Sequence, residues 1–289
     1  LFKPHQLNNE LEKLMSDKSI TSSSSWIRLF DETMASLRFP FAKKELTSTE
    51  IFNYMSDADP KKREESAKSI GKVLKKNINI FTTISNTLAK DKSINDQWRN
   101  IPNPIRIRNL SNVVEDKVVD ALSSSVQYYY PKLAHRYYHL KSKWFGKKKL
   151  MYWDRNAPLP FQSRKLFSWK EAKDIVIEAY GSFSEELKET AKLFFQKSWI
   201  DAAPRKGKQF GAFSAATIPS LHPFILLNYQ GKLRDVATLA HELGHGVHQF
   251  LAAKQGHFNS STPLTLAETA SVFGEMLTFK FLLAKETNL

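Results

Sequence analysis

The sequence predicts a mainly α fold: a helical body with a small β-sheet set just before a histidine-bearing helix. Three observations carry this. Apolar residues recur at steps of three and four along most of the 289 residues, helix-start signals stand where those runs begin, and only the stretch after Lys208 holds short β-type runs punctuated by Pro and Gly. Composition agrees. With 42% hydrophobic and 25% charged residues, and only 10 Gly and 12 Pro, the chain is globular rather than disordered or fibrous. At about 150 residues per domain, its length suits two domains or one large one.

Asp59 and Pro60 open a helix as N-cap and first-turn proline, and Ile70, Val73, Leu74, Ile78, Phe81, Ile84 and Leu88 extend it as one long amphipathic element. A second long helix is expected over 113–143, with Pro131 as a break or kink. Ser168 and Glu171 form a capping box for a third, ending near Gly181. Ser182 or Ser184 caps a fourth, which carries Leu187, Ala191, Phe194 and Phe195. Residues 210–214 and 224–229 have strand character between Pro219, Pro223 and Gly231. A helix follows over 234–254, stopped at Gly256, and Pro263 opens the last, which runs to about Lys285. The expected division is therefore 1–200, the helical part of the body, and 201–289, the sheet with the two final helices. No internal repeat or flexible linker interrupts it.

The complete absence of cysteine excludes a disulfide scaffold, a thiol nucleophile and every cysteine-ligated metal site. No apolar run approaches the ~18 residues of a membrane span, and no basic-then-apolar leader opens the chain, so a cytoplasmic address and no membrane partner are expected. Net charge is +14, with a sequence pI near 9.7. The basic residues cluster at 61–76, 141–149 and 205–208, read here as solvated helix faces and a loop.

The chemistry is concentrated in His241-Glu242-Leu243-Gly244-His245. On a helix, residues i and i+4 point the same way, so both imidazoles can reach one metal ion. Glu242 lies about 100° round, able to reach a water on that metal without ligating it. Val236, Leu239, Leu243, Val247 and Phe250 fall on the opposite side and anchor the helix. A zinc ion held this way needs a third ligand and an open position for water. His248 fails on distance, being about 10 Å along the axis from His241; it is assigned to lining the cleft or supporting the ligands. The metzincin pattern is excluded, because it wants Gly where His248 stands and His where Leu251 stands. Glu268 is the better third ligand, on the next helix among small residues that let two helices approach. Glu275 shares its face and can hydrogen-bond His241 or His245. His257, beside Gly256, is a weaker rival ligand.

These residues resemble the oligoendopeptidase F branch of the thimet-oligopeptidase-like zinc peptidases. The resemblance covers nearly the whole chain. It rests on Ser25-Trp26, Arg28-Leu29-Phe30-Asp31-Glu32, residues 57–63, Arg136-Tyr137-Tyr138 with Leu140-Lys141, and Tyr152-Trp153-Asp154-Arg155. It is most specific at 211–214, 222–229, 235–248 and 266–275. It implies a helical zincin-type catalytic body split by a deep channel. It also implies one Zn2+ per chain on His241, His245 and Glu268, with Glu242 as the catalytic carboxylate acting on zinc-bound water. The implied substrates are short unstructured peptides, laid along strand 224–229 or along Gly211, Ala212 and Phe213 by backbone pairing.

The resemblance further implies helical portions before Leu1 and after Leu289, which would act as partners of this chain. In the family, tyrosine and histidine oxyanion donors come from a loop well downstream of the third ligand. The chain alone is therefore expected to cleave poorly and to expose Phe281 and Leu282. A catalytically impaired fragment that keeps its zinc site is the alternative reading. A basic nucleic-acid binder built on Tyr128-Tyr129-Tyr130, Arg136-Tyr137-Tyr138 and Lys147-Lys148-Lys149 is the rival. Those aromatics are expected to face the core and no recognised nucleic-acid motif accompanies them, so no nucleic-acid partner is expected.

Overall fold

The structure, a computed structural model, describes residues 1–160 and 165–285. Packing divides the chain into Leu1–Gln162 with Lys206–Gln209, and Ser163–Arg205 with Phe210–Leu289. This differs from the division expected at residue 200. The helices between 169 and 196 bury Ala172, Val176, Tyr180, Ala191 and Phe194 in one core with Val236, Leu239 and Leu243, so they belong with the histidine-bearing helix.

The first unit contains α1 (Asn9–Ser19), α2 (Ser23–Ser36), β1 (Phe39–Phe41), β2 (Lys44–Leu46), α3 (Ser48–Tyr54), α4 (Pro60–Lys76), α5 (Ile78–Trp98), α6 (Arg106–Ser111), α7 (Asp116–Tyr129) and α8 (Ala134–Trp144). Strands β1 and β2 form an antiparallel hairpin, turned by Ala42 and Lys43 at φ 46° and 66°, as a tight two-residue turn requires. It buries Phe39, Phe41 and Leu46 with Ile51 of α3.

Asp59 caps α4 by accepting from the Lys61 N–H, as the sequence predicts. The single long helix expected after it is two helices. Asn77 leaves helical geometry at φ −103° and ψ 14°, and caps the end of α4: its backbone N–H bonds the Val73 and Leu74 carbonyls at 3.3 and 3.1 Å, and its side-chain amide adds a bond to the Val73 carbonyl at 2.9 Å. Apolar periodicity reads through because only one residue separates the helices. The break expected at Pro131 lies between α7 and α8.

The tyrosines do not face the core. Tyr128, Tyr129 and Tyr130 are 62%, 50% and 51% exposed, and Tyr137 and Tyr138 are exposed as well. Helix α7 has the expected apolar stripe but buries none of its residues. Periodicity reports that a helix has a face, not that something covers it.

Two cations of the basic runs are internal rather than solvated. Arg63 of α4 is 1% exposed and donates to Asp154 Oδ1 at 2.7 Å and to the Asp57 and Ala58 carbonyls at 2.7 and 2.9 Å. Lys147 Nζ and the Met151 N–H hold Asp154 Oδ2 at 2.7 and 3.1 Å. Lys141, also buried, donates to the Arg155 carbonyl at 2.8 Å. Burial opposes ionisation of Asp154, but the hydrogen bonds from Arg63, Lys147 and Met151 outweigh it and hold the carboxyl below its ordinary range.

The second unit contains α9 (Trp169–Gly181), α10 (Glu185–Gln196), β3 (Ile200–Asp201), β4 (Phe213–Ala215), β5 (Phe224–Leu226), α11 (Leu233–Ala252) and α12 (Leu264–Lys285). Ser168 and Glu171 make the expected capping box on α9, and Ser184, rather than Ser182, caps α10. The sheet order is β3-β5-β4, with Ile200 opposite Ile225 in parallel and Ser214 opposite Ile225 antiparallel. Helix α12 is rich in apolar residues away from Glu268 and Glu275, yet Phe273, Met276, Phe279 and Leu283 are exposed while Phe281 and Leu282 are half-buried, a reversal of the expected face. Among the described residues no helix is long and apolar enough to cross a membrane.

Replacing Asp154 with Asn leaves the Arg63 charge buried without its counter-ion, and is expected to cost about 3–5 kcal/mol at neutral pH, read by urea denaturation. The folded carboxyl titrates below its unfolded value of about 3.9. Its stabilisation is therefore full above that pH and fades as pH falls through the depressed folded value, so parent and Asp154→Asn stabilities should converge in acid.

Candidate metal centre

Helix α11 starts where the Asp235 carboxylate accepts from the backbone N–H groups of Gln230 and Lys232 at 3.0 and 2.9 Å, fixing the helix one and a half turns before His241. The stripe read from the sequence is buried as expected: Val236, Leu239 and Leu243 are fully enclosed and Val247 nearly so, with Phe250 packed at its edge. His241 and His245 stand on the other face, 25% and 15% exposed. Their ring centroids are 4.8 Å apart and the planes cross at 85°.

Helix α12 brings Glu268 to them because nothing intervenes at the crossing. A Cβ on Gly244 would lie 2.6 Å from the Ala270 carbonyl oxygen and 2.9 Å from Ser271 Cα. A Cβ on Gly274 would meet the Tyr180 hydroxyl and, at 2.8 Å, the Ala240 carbonyl oxygen. Tyr180, wholly buried, donates to that carbonyl at 2.6 Å; burial pushes its phenol above the ordinary range, so it stays a donor.

Glu268 Oε2 consequently lies 3.3 Å from His241 Nε2 and 3.5 Å from His245 Nε2, and the three atoms fall within 4.8 Å of one another. Ligands at about 2.0–2.1 Å on a tetrahedral ion stand about 3.3 Å apart, so the separations suit one metal. Hydrogen bonding supports the same reading. Glu275 Oε1 is 2.8 Å from His241 Nδ1. With Nδ1 committed to Glu275, the Nε2 of His241 is the ring atom left to face Glu268, the atom a metal ion would take. Burial lowers the pKa of His245, which keeps its imidazole neutral and available as a ligand. Ser271 Oγ donates to Glu268 Oε2 at 2.7 Å and steers it.

Glu242 is buried beside this cluster rather than in it. Burial raises its carboxyl pKa; His241 works against the rise, and Glu268 and Glu275 add to it. A carboxylate so placed is a proton acceptor poised closer to neutrality than an exposed one.

Of the remaining expected residues, His248 stays outside the cluster and lines an open groove with Leu266, Phe273 and Met276. His257 is exposed and is not part of the cluster. The two candidate strands differ in position. β5 is the central strand, its backbone paired on both sides, whereas β4 lies at the sheet edge. Gly211 and Ala212 precede β4 and only Phe213 of that trio is in it. Ser214 of β4 donates to Gln249 Oε1 at 2.7 Å, tying the edge strand to the helix that bears the histidines. Sequence reasoning missed Ser271, Tyr180 and Gln249. Ser271 and Gln249 stand three and four residues beyond Glu268 and His245, on the faces already singled out; Tyr180 lies 60 residues from its acceptor and left no local signal.

Comparison with known proteins extends this. The sequence profile of peptidase family M3 matches residues 53–288, and that described as oligopeptidase F matches residues 1–39. The chain is 31% identical over 296 residues to an oligoendopeptidase F homologue of Lactococcus lactis subsp. lactis, covering 97% of this chain and 47% of that protein. It is 30% identical over 267 residues to the chromosomal oligoendopeptidase F of Lactococcus lactis subsp. cremoris, covering 90% and 43%. The fold is similar to that of PZ peptidase A, solved with an inhibitor, at TM-score 0.82 and 18% identity over 96% of this chain and 50% of that one. The chain thus spans a little under half the length of these curated relatives.

The Gly244 crossing can be tested directly. Gly244→Ala forces α11 and α12 apart and is expected to lower stability by about 1–3 kcal/mol. The same shift should weaken divalent-metal binding by about tenfold or more, measured by competition with a chromogenic chelator.

Proposed function

The chain belongs to peptidase family M3, and on that premise we propose that it carries the metal centre of a zinc-dependent endopeptidase acting on short, unstructured oligopeptides. The observation that carries this reading is the convergence of His241, His245 and Glu268 on one point with buried Glu242 alongside. Two imidazoles and a carboxylate are a donor set that zinc accepts, leaving a fourth position open. Zinc, when bound, supplies Lewis acidity to a water and to the scissile carbonyl.

The protein's own groups do the rest. His241, His245 and Glu268 would hold the ion, with Glu275 bonded to His241 Nδ1 and Ser271 fixing the Glu268 oxygen that faces the histidines. Glu242 accepts the proton as water attacks, then delivers it to the departing amine. Its raised pKa suits both halves of that exchange, since a stronger base accepts more readily and its conjugate acid still protonates an amine. An extended peptide would add to the exposed edge of β4, which the Ser214–Gln249 bond holds in register with α11.

The test separates metal from base. In whatever assembly is active, Glu242→Gln should keep about one zinc by elemental analysis yet lose peptide cleavage by about 10²-fold or more. His245→Ala should lose both. Turnover by Glu242→Gln above about a tenth of the parent rate, or stoichiometric zinc in His245→Ala, would contradict these assignments.

A further inference from the structure

Residues 128–155 hold half of the chain's formal charge: eight Lys and Arg stand against one Asp, a net +7 of the +14. That single carboxylate cannot answer the surface cations. Asp154 is fully buried, with its two oxygens taken by Arg63 and Lys147 at 2.7 Å each. Lys141 also turns inward, onto the Arg155 carbonyl. Six remain outside, and three of them, Lys148, Lys149 and the Arg155 guanidinium, stand together with no carboxylate paired to them among the described residues. These three line an open depression of about 860 Å³ together with His139, Tyr138 and Tyr152, and no acidic residue contributes to its wall.

We propose that this depression binds the carboxylates of acidic oligopeptides. The proposal rests on the reading of the chain as a peptide-handling protein and adds the class of peptide it prefers. Lysine ammonium groups, phenol hydroxyls and a guanidinium fork are all donors, and the fork matches a carboxylate with two parallel hydrogen bonds. The aromatics suit this ligand better than a nucleic-acid base. Neighbouring rings meet edge to face, Tyr137 with Tyr138 at 64° and Tyr152 with Trp153 at 70°, so these pairs leave no parallel slot for stacking. On the adjoining turn, the Lys132 ammonium already sits 3.6 Å from the centre of the Tyr128 ring.

Equilibrium binding on the Glu242→Gln chain tests this without turnover. The ligands are a fluorescent Glu-rich octapeptide, its Gln counterpart, and a single-stranded oligonucleotide of equal charge, followed by anisotropy. The Glu peptide should bind about tenfold or more tighter than the Gln peptide, and weaken as salt rises. The combined substitution Lys148→Ala, Lys149→Ala and Arg155→Ala, all at exposed positions, should remove about tenfold of that affinity. Should the triple variant lose its helical circular dichroism, Lys148→Glu alone should still weaken the Glu peptide by about threefold. Adding His245→Ala should leave the ratio of Glu-peptide to Gln-peptide affinity unchanged, so loss of the metal centre and loss of this site are read separately. Equal affinity for the Glu and Gln peptides, an unchanged triple variant (or, where that is unfolded, an unchanged Lys148→Glu), or tighter binding of the oligonucleotide would overturn the proposal, the last by making the surface a nucleic-acid site.

Discussion

The close crossing of α11 and α12 is the constraint on which the rest of the site depends. One helix can present two imidazoles to a metal ion, but the third ligand must come from elsewhere and arrive with ångström accuracy. Here Glu268 is brought within 3.5 Å of both histidines because Gly244 and Gly274 remove the side chains that would separate the two backbones. The crossing is also held from behind. Tyr180 of α9 bonds the Ala240 carbonyl, and α9, α10 and β5 pack their apolar residues on the face of α11 opposite the histidines. Close packing on one side of the helix thereby sets the spacing on the other.

Electrostatics then narrows what that spacing can mean. The centre gathers Glu242, Glu268 and Glu275 around two imidazoles, of which burial lowers the pKa of His245 while His241 is hydrogen-bonded to Glu275. This is a locally anionic point in a chain of formal charge +14. A divalent cation would relieve the repulsion among carboxylates gathered at such a point. Supporting contacts act on orientation rather than on charge. Ser271 holds the Glu268 oxygen that faces the histidines, and Glu275 holds His241 by the nitrogen turned away from them, so the proposed metal site would need little rearrangement to take an ion.

Much of this was legible in the sequence, because the relevant signals are local. The i, i+4 histidines, the intervening Glu242, the apolar stripe from Val236 to Phe250, and the pairing of Glu268 with Glu275 seven residues on all follow from helical geometry. Capping residues were equally readable: Asp59, Ser168 and Ser184 each bond the backbone they precede. What escaped depends on partners distant in sequence. Strand order decided that β5 is enclosed and β4 free, and no run of residues reports which neighbour a strand will take. Periodicity likewise ran through Asn77 and suggested a core for tyrosines that the structure exposes. The burial of Arg63 with Asp154 joined residues 91 apart in sequence.

The central claim is that one ion is held by two imidazole nitrogens and one carboxylate oxygen drawn from two helices. X-ray absorption at the zinc K-edge, on chain loaded with one equivalent of zinc, tests that directly. The predicted first shell has two imidazole nitrogens and light oxygen donors at about 2.0–2.1 Å, four-coordinate, and in Glu268→Ala one of those oxygens is lost or replaced by solvent while the imidazole signature persists. A shell with three imidazoles, or one unaltered in affinity and scattering by Glu268→Ala, would contradict it.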